Sequence, residues 1–284
     1  IQSLDELDIS KPCIDMQDEG YNCEWSQELK IQQSFDQYLD AWILIHILKH
    51  KLGIGQATEP GCIFNMSIGY NLEGILNDNV QWFLDKMQDA SKELAQKIDT
   101  IRPTYPEIDK LDISPKISDN VTLSTMHGCP PDEIEKIGKY LIEEKRLHTT
   151  IKLNPTLLGP ERLRFILNDK LGYKLNVPDE AFEHDLKYED AVSMIKSLQE
   201  CSEENNVEFG LKLTNTLESL NSTNWLPQKE KMVYTSGRAL HPISINVAEK
   251  LQSDFGGNLD ISFSAGVDVF NVSDTLACNL KPIT

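Results

Sequence analysis

From residue 121 onward the chain repeats one unit, an apolar strand followed by an amphipathic helix. That alternation points to a parallel sheet. Strands are expected at 121–125 ("VTLST"), 149–154, 207–213 and 259–266. Helices are expected between them, near 130–146, 160–169, 187–202 and 242–253, with one more beginning at 273–278. Residues 172–185 read as an irregular insertion. The first of these helices has a clear start. A proline pair suits its first turn, Asp132 and Glu133 complement its dipole, and Ile134, Ile137 and Leu141 form its apolar stripe. With 284 residues, 40% of them hydrophobic, the chain can bury one large core. A parallel (β/α)8 TIM-type barrel is therefore expected ahead of an open sheet, and its chemistry belongs at the carboxyl ends of the strands.

The first part is less regular. Residues 24–50 read as a long helix with Phe35, Tyr38, Leu39, Trp42 and Ile45 on its apolar face, ended by Gly53 and Gly55. "CIFNMSIGYN" (62–71) reads as a strand. Asp78 or Asn79 caps a helix carrying Val80, Phe83, Leu84 and Met87, and the proline-rich stretch 100–120 reads as a loop. The expected organisation is an N-terminal helical segment, 1–60, leading into a barrel domain, 61–284. That barrel is expected to be truncated at its C-terminal end, because a chain opening on Ile and closing on "LACNLKPIT" reads as a segment of a longer protein.

Charge narrows the function. Forty-five acidic against 27 basic residues give −18, which disfavours nucleic acid or an anionic membrane as partner. The longest apolar run, "AWILIHIL" (41–48), falls short of the roughly 20 residues that span a bilayer. Six cysteines without a CxxC pair suggest reduced thiols and a cytoplasmic protein.

Two strands end alike. "FGLKLTNT" places Lys212 between Leu211 and Leu213 and is followed by Thr214, Asn215 and Thr216, while "TIKLNPT" places Lys152 between Ile151 and Leu153 ahead of Asn154. If the leucines pack on helices, Lys212 points into the barrel at its active end. There it either snorkels to the rim or meets an anionic ligand or a cofactor that gains negative charge. "TSGRALHP" (235–242) offers backbone N–H groups at Ser236, Gly237 and Arg238 to a phosphate, and "SFSAGVD" (262–268) offers a second glycine turn at Gly266. His127 and Cys129 suggest a metal pair or a nucleophile, with Cys129 ahead of a helix suited to a lowered pKa. A tight turn is the preferred reading, since no further cluster supplies zinc ligands. His46 reads as a packed histidine and His241 as a helix-start residue.

These segments, together with "NVTLSTMHGCPPDEIEKIGKYLIEEKRLHTTIKLNPTLLG", "SGRALHPISI", "ISFSAGVDVFN", "EWSQELKIQQS" and "FNMSIGYNLEGI", closely resemble the middle region of the selenate reductase-type iron–sulfur flavoproteins. More distantly, they are similar to the FMN barrels of dihydroorotate and dihydropyrimidine dehydrogenases. The resemblance implies FMN as cofactor in this segment, with iron–sulfur clusters and FAD/NADPH outside it. It implies a small-molecule substrate, and redox domains of the parent protein or partner subunits as electron partners. Lys212 then matches the lysine beside the flavin pyrimidine ring, and Asn154 matches an active-face asparagine, so these two are the expected catalytic residues. The cofactor-binding set is Lys212, Asn154, Asn215, the Ser236-Gly237 phosphate loop and the Ala265-Gly266 phosphate turn. No metal ligand is expected in the segment. Leu157 stands where those dehydrogenases carry a catalytic Cys or Ser, and the unit at 217–233 is too short for a full strand and helix. The expected function is an oxidoreductase domain. The alternatives are a degenerate non-flavin barrel serving as scaffold and a lyase using Lys212 or Lys152 as a Schiff base.

Overall fold

A computed structural model describes residues 14–15, 20–22, 29–54, 61–69, 71–124, 128–222 and 226–284. His127, Cys13, Cys23 and the opening residues of the first expected helix lie outside them.

In chain order the elements are β1 (Ile14–Asp15), β2 (Tyr21–Asn22), α1 (Ile31–Leu52), β3 (Asn65–Gly69), α2 (Leu72–Ile75), α3 (Asp78–Gln88) and α4 (Ser91–Ile101). Then come β4 (Asn120–Ser124), α5 (Pro131–Glu143), β5 (His148–Leu153), α6 (Pro160–Arg164), α7 (Asp179–His184) and α8 (Tyr188–Asn205). The remainder is β6 (Phe209–Leu213), β7 (Leu217–Leu220), β8 (Met232–Thr235), α9 (Leu240–Asp254), β9 (Ile261–Phe263) and α10 (Val272–Ala277). Short 3-10 turns at Pro106–Lys110, Pro155–Leu158 and Gly237–Ala239, and a π turn at Phe165–Lys170, fill the connections.

Five strands form a parallel sheet in the order β3-β4-β5-β6-β9. Residues 281–284 take the next place, where Ile283 pairs with Phe263 and the N–H groups of Lys281 and Thr284 donate to the carbonyls of Ile261 and Phe263. One face of the sheet is apolar and shut. Met66, Val121, Ile151, Leu211, Leu213 and Phe263 are all at most 2% exposed and lie in one core with the helices. Burying side chains of this size stabilises the fold by roughly 1.5–3 kcal/mol each. The other face is polar. Parallel sheets covered by helices on both faces read as unbroken apolar runs. The alternation seen here therefore means that the second face lines an interior of a different kind, as the inner wall of a barrel does.

Local chemistry accounts for the helices. Pro131, Asp132 and Glu133 open α5, and Glu133 also accepts the N–H of Leu72 at 2.8 Å, tying α2 to it. Gly53, with φ of 63°, ends α1 in the left-handed conformation that glycine adopts without strain. Ile31, Phe35, Leu39 and Trp42 place α1 in the same core as the sheet, and His46, 5% exposed, is packed with its Nδ1 2.8 Å from the Trp42 carbonyl. At Gly138 α5 comes close against α8. A Cβ there would stand 2.8 Å from a Leu198 methyl, which belongs to a side chain able to shift. Gly138→Ala is accordingly expected to cost about 1–2 kcal/mol in urea denaturation, without touching the polar face.

Several expectations need correction. The cap expected at Asp78 or Asn79 lies one or two residues earlier, at Asn77, and α3 already includes Asp78. The stretch 100–120 holds the end of α4 and a 3-10 turn, and α4 packs Leu94, with Ile98 and Ile101 at helical spacing, against the core. The short unit at 217–233 is not a reduced strand and helix. It is an antiparallel hairpin, β7–β8, that joins β1 and β2 in a second, four-stranded sheet ordered β1-β2-β8-β7.

Candidate functional site

Parallel strands in register put equivalent residues in rows. One row on the polar face reads Gly69, Ser124, Lys152, Lys212 and Ser262 across β3, β4, β5, β6 and β9. The two lysines expected to echo one another are thus direct cross-strand neighbours. Both are half-buried. Burial and then the Lys212 charge bring the Lys152 amine down to about 8 from the ordinary 10.5, since both disfavour the protonated form. The row beneath is Ser67, Thr122, Thr150 and Gly210.

Past the strand ends the chain turns. Asn154 and Asn215 are 7% and 8% exposed, and Asn215 Nδ2 donates to Asn154 Oδ1 at 2.7 Å. The Asn215 N–H also donates to the Leu153 carbonyl at 2.8 Å, so the loops after β5 and β6 are joined by main chain and side chain. Asn154 Nδ2 has no partner among the described residues. One turn on, Thr156 Oγ1 donates to Asp185 at 2.6 Å, and Asp185 also accepts the Gly128 N–H at 3.2 Å. Asp185 is 4% exposed. It is a buried carboxylate at the carboxyl end of the sheet that the sequence did not single out, because it sits in a stretch without period. Leu157, 3% exposed, belongs to the core.

The two glycine loops meet. A Cβ on Gly266 would lie 2.5 Å from the Gly237 carbonyl oxygen and 2.9 Å from Arg238 Cα, so the backbones are in close contact. His241 Nδ1 lies 2.9 Å from the Ala265 carbonyl, and Asn271 Nδ2 donates to the Gly266 carbonyl at 3.1 Å. Arg238 pairs with Asp268 at 3.5 Å. Not every expected donor is available. The Ser236 N–H is given to the Gly20 carbonyl at 2.9 Å, and Ala265 is buried, which leaves Gly237, Arg238 and Gly266 as the loop positions open to a ligand.

Cys129 does not have the lowered pKa considered for it. Burial, and then the charges of Glu133 and Asp132, push its thiol up to about 11. Cys62, Cys129, Cys201 and Cys278 are free thiols. Among the described residues no three His, Cys, Asp or Glu side chains are grouped to hold a metal ion, and no helix is long and apolar enough to cross a membrane.

Comparison with known proteins places this architecture. A family model described as "Oxidoreductase YgfK, N-terminal TIM-barrel domain" matches residues 1–284. The chain belongs to that family. The TIM-barrel class expected from the strand–helix repeat is thereby shown, and the polar face of the sheet is its inner wall. Two curated relatives named "Putative oxidoreductase YgfK", from Escherichia coli strain K12 and from Escherichia coli O157:H7, are each 43% identical over 306 aligned residues covering 100% of this chain. The chain spans 29% of the length of these YgfK relatives.

Proposed function

We propose that this domain is the flavin-dependent part of a larger oxidoreductase. In this reading it passes electrons between a small substrate and redox cofactors, iron–sulfur clusters and FAD/NADPH, held elsewhere in the protein or in partner subunits. The observation that carries the reading is the pairing of Lys212 with Lys152 on the barrel's inner wall, at the end where barrel enzymes gather their chemistry. The family description as an oxidoreductase TIM-barrel domain supports it.

The residues present fit FMN in kind. A cation-lined wall suits the pyrimidine edge of a flavin, and the contact between the loops at Gly237-Arg238 and Gly266 suits its phosphate. Flavin, when bound, supplies two-electron chemistry. Lys212 would hold positive charge beside the pyrimidine end of the flavin, and a charge fixed in place acts there without reorganising. Asn154, anchored by Asn215, presents an amide to the ring or to the substrate. Gly237 and Gly266 allow close backbone approach, and Arg238 adds charge at the phosphate end.

Flavin released from the folded full chain by heat, identified by its visible spectrum and fluorescence, is the first test. Lys212→Met is expected to keep flavin bound but lower its reduction potential by about 30–60 mV. This corresponds to the roughly 1.5–3 kcal/mol of a contact to a charged group. A potential unchanged in that variant removes the proposed role of Lys212. A second reading, a scaffold barrel without flavin, is favoured by Leu157, whose burial puts an apolar side chain where the similar dehydrogenases carry a Cys or Ser. A folded chain with no flavin would support it.

A further inference from the structure

The flavin reading gives Lys152 no chemical role of its own, yet its amine is half-buried beside that of Lys212 and lowered to about 8. Adjacent parallel strands run about 4.8 Å apart, so a like-charged pair in register is held together by the sheet itself. Among the described residues neither ammonium group has a hydrogen bond or an ion pair. The rest of their row is glycine and serine, with the Ser124 hydroxyl beside Lys152, while Ser262 Oγ donates to the Pro282 carbonyl at 3.3 Å.

Carboxylates are scarce around them. The row beneath carries none on β3 to β6, and Asp260, beside Gly210 at the entry to β9, is exposed. His148 and the exposed Glu208 lie one row lower still, and Asp185 is engaged with Thr156 and Gly128. A half-buried pair of like charges without a counter-charge is costly, and proteins normally offset such groups with an anion.

We propose that Lys152 and Lys212 together hold a carboxylate or oxyanion group of the substrate, with the Ser124 hydroxyl beside them. The word substrate rests on the flavin reading above. The anion site itself consists of this chain's own residues. The class of substrate is then a small organic acid or an oxyanion, presented to the barrel's inner wall with its negative end against β5 and β6.

Calorimetric titration of the full chain with malonate and with sulfate tests this, at constant ionic strength in chloride, near pH 7 and near pH 9.5. Binding is expected at the lower pH and is expected to weaken at the higher one, where Lys152 has lost its proton. Lys152→Met should weaken binding about tenfold or more near pH 7. Lys152→Arg should keep binding and lose most of the pH dependence, because guanidinium stays charged. Absence of anion binding in the parent chain, or unchanged affinity in Lys152→Met, overturns the proposal. If the methionine variant does not fold, the arginine variant decides, and a pH dependence equal to that of the parent chain overturns it. Flavin measured in the same samples separates the two readings. Anion binding without flavin leaves the anion site standing and removes only the flavin role.

Discussion

Lys152→Met is expected to stabilise the ligand-free chain near pH 7 by about 3 kcal/mol and to lose that advantage by about pH 10.5. The reason is the depression of the Lys152 amine from 10.5 to about 8, caused first by burial and second by the Lys212 charge. Each pK unit corresponds to about 1.4 kcal/mol of preference for the neutral form. Below about pH 8 the folded chain carries Lys152 charged in a place that disfavours charge, and the penalty is present in full. Between about 8 and 10.5 the folded state has released the proton while the unfolded state still binds it, so stability rises with pH. Above that window both states are neutral and the penalty is gone. Methionine keeps the length of the lysine stem without its charge, so the variant should lack this slope. Urea denaturation across the window measures the difference. A methionine variant less stable than the parent at every pH would mean that Lys152 is compensated in a way the row of Ser124, Lys152, Lys212 and Ser262 does not contain. Saturating malonate should narrow the gap near pH 7, because a ligand of the folded parent chain stabilises it by mass action.

What the sequence disclosed about this pair was one-dimensional. Alternation of Ile151, Lys152 and Leu153, and of Leu211, Lys212 and Leu213, is local, so it was enough to put each lysine on the inner face of its own strand. That the two lysines stand opposite one another depends on register between β5 and β6, which no local pattern encodes. The helix start at Pro131-Asp132-Glu133 was legible for the same local reason, as was the stripe Val80, Phe83, Leu84 and Met87. The β7–β8 hairpin was not legible, because its sheet is completed by Tyr21 and Asn22, which are far away in the chain. Pairing of that kind follows from tertiary contacts alone. The two glycine loops fall between these cases. Gly237 and Gly266 were recognisable as turns, whereas the loss of the Ser236 N–H to Gly20 is a tertiary event. Asp185 was overlooked because its significance lies in accepting from Thr156 and Gly128, and neither contact has a sequence signature.

The contact between those loops leads to the second large effect, at Gly266. Gly266→Ala is expected to destabilise the chain by about 3 kcal/mol and, on the flavin reading proposed above, to reduce bound flavin. Two separate causes act there. With φ of 58°, any residue bearing a Cβ is strained in the left-handed region, at a cost of roughly 1–2 kcal/mol. The new Cβ would also meet the Gly237 carbonyl oxygen at 2.5 Å and Arg238 Cα at 2.9 Å. Both are backbone atoms, so no rotamer change relieves the clash and one loop must move. Movement would strain the Asn271 bond to the Gly266 carbonyl and the His241 contact with Ala265. Gly257 supplies the control. Its φ is 78°, but nothing lies within 4 Å of the position a Cβ would take, so Gly257→Ala carries the conformational strain alone, about 1 kcal/mol. Thermal or urea unfolding of the two variants separates close approach from backbone strain. Equal losses would mean that the loops at 237 and 266 give way easily, and a site built on their contact would then be too soft to hold a phosphate. A larger loss at 266, accompanied by less bound flavin while Lys212→Met keeps its flavin, would locate cofactor affinity in the loops and leave the lysine wall to act on the reacting end.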